Sequence, residues 1–173
     1  MLAVQVVAAN VGTYTNPAVT LTSNQAPPVQ SAPVDLFVIL AIPPGFTKQF
    51  VPNSTPNGNV VTVVFTITNN APVPLSGLSF IDALPGGLRI TTPVVTLNTC
   101  GGTLTAPAGG TAISLASGSL AAGASCVVSV SVEQVPPLPT SLPVTYPNPP
   151  VTLFGSGAPL ATSAQADVTF KSV

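Results

Sequence analysis

Apolar and polar residues alternate along several short stretches of this chain. Val61, Val63, Phe65 and Ile67 fall on one side of the alternation, and Thr62, Val64, Thr66 and Thr68 on the other. Cys126, Val128, Val130 and Val132 alternate with Val127, Ser129, Ser131 and Glu133. Ala166, Val168 and Phe170 alternate with Asp167, Thr169 and Lys171. A period of two in β-branched residues predicts strands with one buried face. A slip of one residue would carry the polar set into the core, so the same pattern holds the register. Turn-forming residues separate the runs: Pro56-Asn57-Gly58-Asn59, Leu84-Pro85-Gly86-Gly87, Cys100-Gly101-Gly102 and Gly109-Gly110. No stretch keeps a long 3.6-residue period. The small-residue stretch 116–124 is the one candidate for a helical turn, although it contains two glycines. Many short strands with Gly/Pro turns predict an all-β fold, an immunoglobulin-like antiparallel β-sandwich.

A longer regularity lies over this one. Residues 14–38 recur at 146–170 without a gap, at an offset of 132 (146 − 14), and 11 of the 25 aligned positions are identical. The chain therefore reads as one complete repeat, residues 39–173, preceded by residues 1–38. The latter are the C-terminal strands of a preceding, or neighbour-complementing, sandwich repeat. Such a fragment cannot bury its own apolar face, because a lone pair of strands is marginal in water. Val19, Leu21, Val34, Leu36 and Val38 are the expected inter-subunit strand contacts. The partner surface is either the front half of a repeat in the same longer chain or another subunit, by strand addition.

Composition narrows the function. Charged residues make up 4% of the chain, against about 25% in an ordinary soluble domain. The seven charges sum to −1. There is no basic patch to bind nucleic acid and no polybasic segment to hold an anionic membrane. The longest mainly apolar run, 36–44, ends in Pro-Pro and is nine residues long, where a membrane-spanning helix needs about 20. The 21 prolines and scarce aromatics argue against a membrane barrel. A surface with net charge near zero promotes association, which suits a fibre built from copies of itself. Met1–Gln5 lacks the basic n-region of a signal peptide, so the chain reads as a mature product or an excerpt. There is no His for acid–base work, no G-x-S-x-G and no close carboxylate pair. The expectation is a protein that is not an enzyme and carries no cofactor. The acids are scattered, with no calcium-loop pattern, so no metal site is expected either.

A string of motifs is more specific. It includes Phe46-Thr47-Lys48-Gln49-Phe50, then Phe65-Thr66-Ile67-Thr68-Asn69, then Gly77-Leu78-Ser79-Phe80-Ile81-Asp82-Ala83-Leu84-Pro85-Gly86-Gly87-Leu88. Thr99-Cys100-Gly101-Gly102-Thr103, Ile113-Ser114-Leu115, Ala122-Gly123-Ala124-Ser125-Cys126 and Gly12-Thr13-Tyr14-Thr15-Asn16 complete it. This string resembles the DUF11-type repeat domains of bacterial and archaeal extracellular surface proteins. The resemblance implies a secreted immunoglobulin-like sandwich, arrayed in tandem in a structural or adhesive polymer, with no catalytic or ligand site to carry over. Two departures stand out: Val144-Thr145-Tyr146-Pro147-Asn148 replaces the Gly-Thr-Tyr-Thr-Asn motif, and the Pro-rich segment 135–143 has no counterpart in the first copy. That insertion is a contact loop or a tolerated surface loop.

Cys100 and Cys126 are the only cysteines, and both lie in motifs matching the family. In a secreted chain they are expected to form a disulfide; without His or CxxC, a metal site is disfavoured. Lys48, Asp82, Arg89 and Glu133 are the other candidates for chemistry. Surface adhesins sometimes join Lys to Asn through an isopeptide bond with a buried acid assisting. Lys48 and Asp82, with Asn69 or Asn148, are the candidates for one here. The competing reading is a solvated Lys48 and a turn-capping Asp82. Asn53-Ser54-Thr55 and Asn98-Thr99-Cys100 fit glycosylation patterns.

The expected function is a structural subunit or repeat of an extracellular filament or surface fibre, assembled head to tail. The alternative is a stalk, spacer or binding module of a cell-surface adhesin. A carbohydrate-binding module would rest on exposure of Phe37, Tyr146 and Phe154.

Overall fold

The structure, a computed structural model, describes residues 10, 12–38 and 42–172. It consists of two compact units, 1–41 and 42–173. The expected boundary at 38/39 borders residues 39–41, which lie outside the described residues.

The smaller unit contains β1 (Gly12–Asn16), β2 (Thr20–Leu21), β3 (Val29–Gln30) and β4 (Val34–Val38). β1 pairs antiparallel with β4 and β2 with β3. None of its described residues is buried. Val19, Leu21 and Val34 are 63–74% exposed and Leu36 is 42% exposed, so these apolar positions are left largely uncovered.

In the larger unit the strands are β5 (Gly45–Val51), β6 (Ser54–Pro56), β7 (Val61–Thr68), β8 (Leu75–Ala83), β9 (Leu88–Ile90), β10 (Thr96–Asn98) and β11 (Thr103–Thr105). They continue with β12 (Ala112–Leu120), β13 (Ser125–Gln134), β14 (Val144–Asn148), β15 (Thr152–Gly155), β16 (Ala158–Thr162) and β17 (Ala166–Lys171). One sheet runs β10-β13-β7-β5, with β9 also on β13; a second runs β11-β12-β8-β15-β16; a third joins β14-β17-β6. The pairs are antiparallel except β17 with β6, which run parallel. The fold is all-β and immunoglobulin-like.

The alternation explains this arrangement. Val61, Val63, Phe65 and Ile67 of β7 are buried, as are Val128, Val130 and Val132 of β13, while the residues between them are half-buried, apart from the buried Ser131. Leu78 and Phe80 of β8 and Ile113 and Leu115 of β12 come from the opposing sheet. Phe65 and Phe80 meet across the sandwich with ring centroids 4.6 Å apart, and Phe46 lies 5.6 Å from Phe80. Burying such side chains contributes about 1.5–3 kcal/mol each.

The 116–124 stretch is not helical. Residues 116–120 continue β12, with a bulge around Gly118. A Cβ on Gly118 would press on the Cys100 carbonyl and the Leu78 side chain, both at 3.2 Å, so the close approach of backbones selects glycine. Residues 121–124 then turn tightly, with Gly123 at φ 69°. The Pro-rich segment 135–143 is mostly exposed and is tied down by Asn57, whose Nδ2 donates to the Pro139 carbonyl at 3.1 Å. Arg89 and Glu133 stand opposite each other on β9 and β13 and form an ion pair at 2.9 Å. This pair is partly exposed, which limits its worth to about 1 kcal/mol or less.

Candidate functional site

Three polar side chains occupy positions that their strands reserve for the core. Along β5, Phe46, Lys48 and Phe50 point inward, and Thr47, Gln49 and Val51 point outward. Along β8, Asp82 follows Leu78 and Phe80 on the inner face. Asn148 ends β14 and is completely buried. Lys48 and Asp82 have side-chain exposures of 0% and 1%, which rules out the solvated lysine and turn-capping aspartate.

The carboxylate of Asp82 bridges the other two. Its Oδ1 accepts from Lys48 Nζ at 3.0 Å, and its Oδ2 accepts from Asn148 Nδ2 at 2.9 Å. Lys48 Nζ also donates to the Pro149 carbonyl. Asn148 Oδ1 has no partner; with Asn57 Oδ1 it is one of two such buried side-chain atoms among the described residues. Burial pushes the Lys48 amine below its ordinary value of 10.5, and the hydrogen bond and charge of Asp82 oppose that push. Desolvating the pair costs several kcal/mol per ion, offset by their attraction only because the geometry is close. Asn69, the other asparagine considered, is occupied elsewhere: its Nδ2 donates to the Val73 and Ala121 carbonyls and its Oδ1 accepts from Ala71 N. It caps the loop after β7 and contacts neither Lys48 nor Asp82 through a hydrogen bond.

Cys100 and Cys126 are joined by a disulfide, with Cα atoms 5.0 Å apart and both residues buried. The bridge ties β13 to the segment entering β11, and so joins the two main sheets.

The 132-residue repeat is also a repeat of geometry. Tyr14 pairs with Leu36 as Tyr146 pairs with Val168, and Asn16 with Val34 as Asn148 with Ala166. Leu21 pairs with Val29 as Leu153 pairs with Ala161. The connecting hydrogen bonds match as well: Val19 N donates to Ser31 Oγ and Val151 N to Ser163 Oγ, both at 3.0 Å. Ser31 N and Ser163 N return bonds of 2.9 Å to the Val19 and Val151 carbonyls. The two copies differ in burial. Val151 is 5% exposed and Leu153, Val168 and Phe170 are 0% exposed, whereas their counterparts Val19, Leu21 and Leu36 are exposed and Val38 is half-buried.

Of the aromatics considered for sugar stacking, Phe37 is 68% exposed, Phe154 38%, and Tyr146 is partly covered and packs edge-on against Phe170. An open groove of about 510 Å³ lies on the outer side of β8 and β12, lined by Ser79, Ile81, Ala116, Thr152 and Phe154 among others. It carries no charged side chain.

Fold and site together define an immunoglobulin-like sandwich module with a charged, hydrogen-bonded cluster inside its core. The profile of a domain family of unknown function, DUF7933, matches residues 44–137, more than half of the chain, and the chain belongs to that family. This corrects the DUF11 resemblance, which rested on the motif string: the matching family is DUF7933. No curated protein matches the chain. Among solved structures it is similar to BcpA, the major pilin subunit of Bacillus cereus, at 6% identity and a TM-score of 0.53, over 94% of this chain and 48% of the pilin. The chain thus spans about half of that pilin's length. It is also similar to a non-cellulosomal cohesin from the archaeon Archaeoglobus fulgidus (17% identity, TM-score 0.46, 74% of this chain and 91% of the cohesin). The collagen-binding domain of a Staphylococcus aureus adhesin is a third (11% identity, TM-score 0.45, 77% of this chain and 99% of that domain). At these identities the likeness is one of fold.

Proposed function

We propose that this chain is a structural repeat of an extracellular fibre or surface protein, in which residues 1–38 close one sandwich as residues 144–170 close the next. The observation that carries this reading is the match in strand register between the two copies together with their opposite burial. Apolar positions on strands paired in the same way are buried in one copy and exposed or half-buried in the other. Residues 144–170 already fill their place in the 42–173 sandwich, so residues 12–38 require a different front half, one that lacks closing strands of its own. Successive units joined in this way form a head-to-tail array. The disulfide suits an oxidising compartment, and the near-absence of charge lets neighbours pack without mutual repulsion. The role is structural, with no turnover of an external substrate.

A chimera with residues 12–38 in place of 144–170 tests the reading. It is expected to fold with one cooperative unfolding transition, with the amides of Leu21 and Leu36 in the transplanted segment better protected from exchange than in the parent chain. A chimera that stays unfolded, while a control carrying the original segment folds, overturns it. Antibody labelling of intact cells tests the extracellular location.

A further inference from the structure

We propose that Lys48 and Asn148 are joined by an intramolecular isopeptide bond, formed spontaneously inside the folded sandwich with Asp82 as the acid–base group. Three observations converge on it. Both oxygens of Asp82 are engaged, one by the would-be nucleophile and one by the amide it would attack. All three side chains are sealed from water, in a site next to the Phe46, Phe65 and Phe80 cluster. Asn148 Oδ1 is buried without a partner, an arrangement that is costly for a group built to stay an ordinary asparagine. The oxygen and nitrogen of a primary amide are nearly isosteric. Half a turn of the Asn148 amide brings Oδ1 to Asp82 Oδ2, where a protonated carboxyl donates to it.

The chemistry balances without an oxidant or cofactor. A proton passes from Lys48 Nζ to Asp82, leaving an amine and a carboxylic acid. Such a transfer is favoured where burial penalises the charged forms, and burial does push the Lys48 amine toward its neutral form. The lone pair of Nζ attacks Asn148 Cγ while the Asp82 proton is shared with Oδ1, stabilising the charge that develops there. The Cγ–Nδ2 bond then breaks. Nδ2 leaves as ammonia with the second amine proton, the shared proton returns to Asp82 as the carbonyl re-forms, and the product is a secondary amide from Nζ to Cγ. Close fixed geometry replaces the catalytic power of a separate enzyme. The bond would tie β5 to the end of β14 across 100 residues of chain (148 − 48). It does not depend on whether the chain is a fibre repeat.

Intact mass of the full chain, reduced and denatured, is the decisive measurement. The expected result is a loss of one ammonia from the calculated mass. Trypsin cleaves after Lys48, Arg89 and Lys171, and a bonded Lys48 resists it. Digestion should therefore give residues 1–89 covalently joined to 90–171, in place of separate 1–48, 49–89 and 90–171. The disulfide lies wholly within 90–171, so it does not mimic the link. Lys48→Met, Asn148→Ala and Asp82→Ala should retain the full mass. Should Asp82→Ala not fold, the near-isosteric Asp82→Asn takes its place. Folded wild type at full mass, or an ammonia loss without the joined peptide, overturns the bond. A folded Asp82 variant that still loses ammonia at the wild-type rate overturns the part given to Asp82.

Discussion

Lys48 sits where an alternating strand would ordinarily place a Val or Phe, and its partner Asp82 does the same on β8. Phe46-Thr47-Lys48-Gln49-Phe50 and Leu78-Ser79-Phe80-Ile81-Asp82 show this phase in the bare sequence, because side chains two apart share a face. The inward direction of both charges was legible there; the reading of a solvated Lys48 and a turn-capping Asp82 fails because the alternation continues through them. The choice of Asn148 over Asn69 was not legible, since it depends on which strand end lies against β5. A pH prediction belongs at this scale. In Asn148→Ala, which cannot form the bond, Lys48 remains a buried amine with a value lowered from 10.5 by burial, opposed by Asp82. Between that lowered value and 10.5 the unfolded chain holds the extra proton. Stability of this variant should therefore rise with pH through that window and stay flat with respect to Lys48 below it. Urea unfolding midpoints across the window check the sign; a fall there would mean that Asp82 outweighs burial.

At the scale of elements, strand pairs are held by links that cross between sheets. The Cys100–Cys126 bridge closes a loop with a sequence separation of 26, for which chain entropy gives roughly 3.5 kcal/mol. A Cys100→Ser, Cys126→Ser double variant should lose about that much in denaturant unfolding, with the β7–β13 pairing kept. The candidacy of these cysteines was visible from their being the only two, in paired motifs. Their joining of β13 to the segment before β11 was not, because it requires the sheet order. The stretch 116–124 shows the reverse case. Its small residues offered a helical turn despite two glycines, but the pairing of β12 with β8 and the tight approach of Cys100 and Leu78 to Gly118 made 116–120 a bulged strand. Tertiary contact overrode a weak local preference.

For the whole molecule, the proposed covalent link would close a far longer loop than the disulfide does. If loop closure acts as for a disulfide, about 4–5 kcal/mol is at stake. Asn148→Ala should then lower the melting temperature by on the order of 10 °C or more, as read by calorimetry of the oxidised protein. The repeat supplies an independent prediction. Asn16 and Pro17 stand at the places of Asn148 and Pro149. The chimera that closes the sandwich with residues 12–38 should therefore lose one ammonia too, with Lys48 joined to Asn16, and Asn16→Ala in that chimera should restore the full mass. A link of this kind at every closure would make an array resistant to pulling, since each sandwich would be locked between its first strand and its closing strands.

The period-two pattern decided the strands, their inward faces and their register, because alternation is a local property that each strand carries by itself. The 132-residue offset decided which strands are equivalent. Neither could decide what an inward lysine meets. That depended on the order of strands in three sheets, which brings β5, β8 and the end of β14 together from segments up to 100 residues apart (148 − 48). It also depended on burial, which differs at the aligned apolar positions of two copies that share 11 of 25 residues. Exposure is a property of the partner surface, and only the folded sandwich around 144–170 provides one.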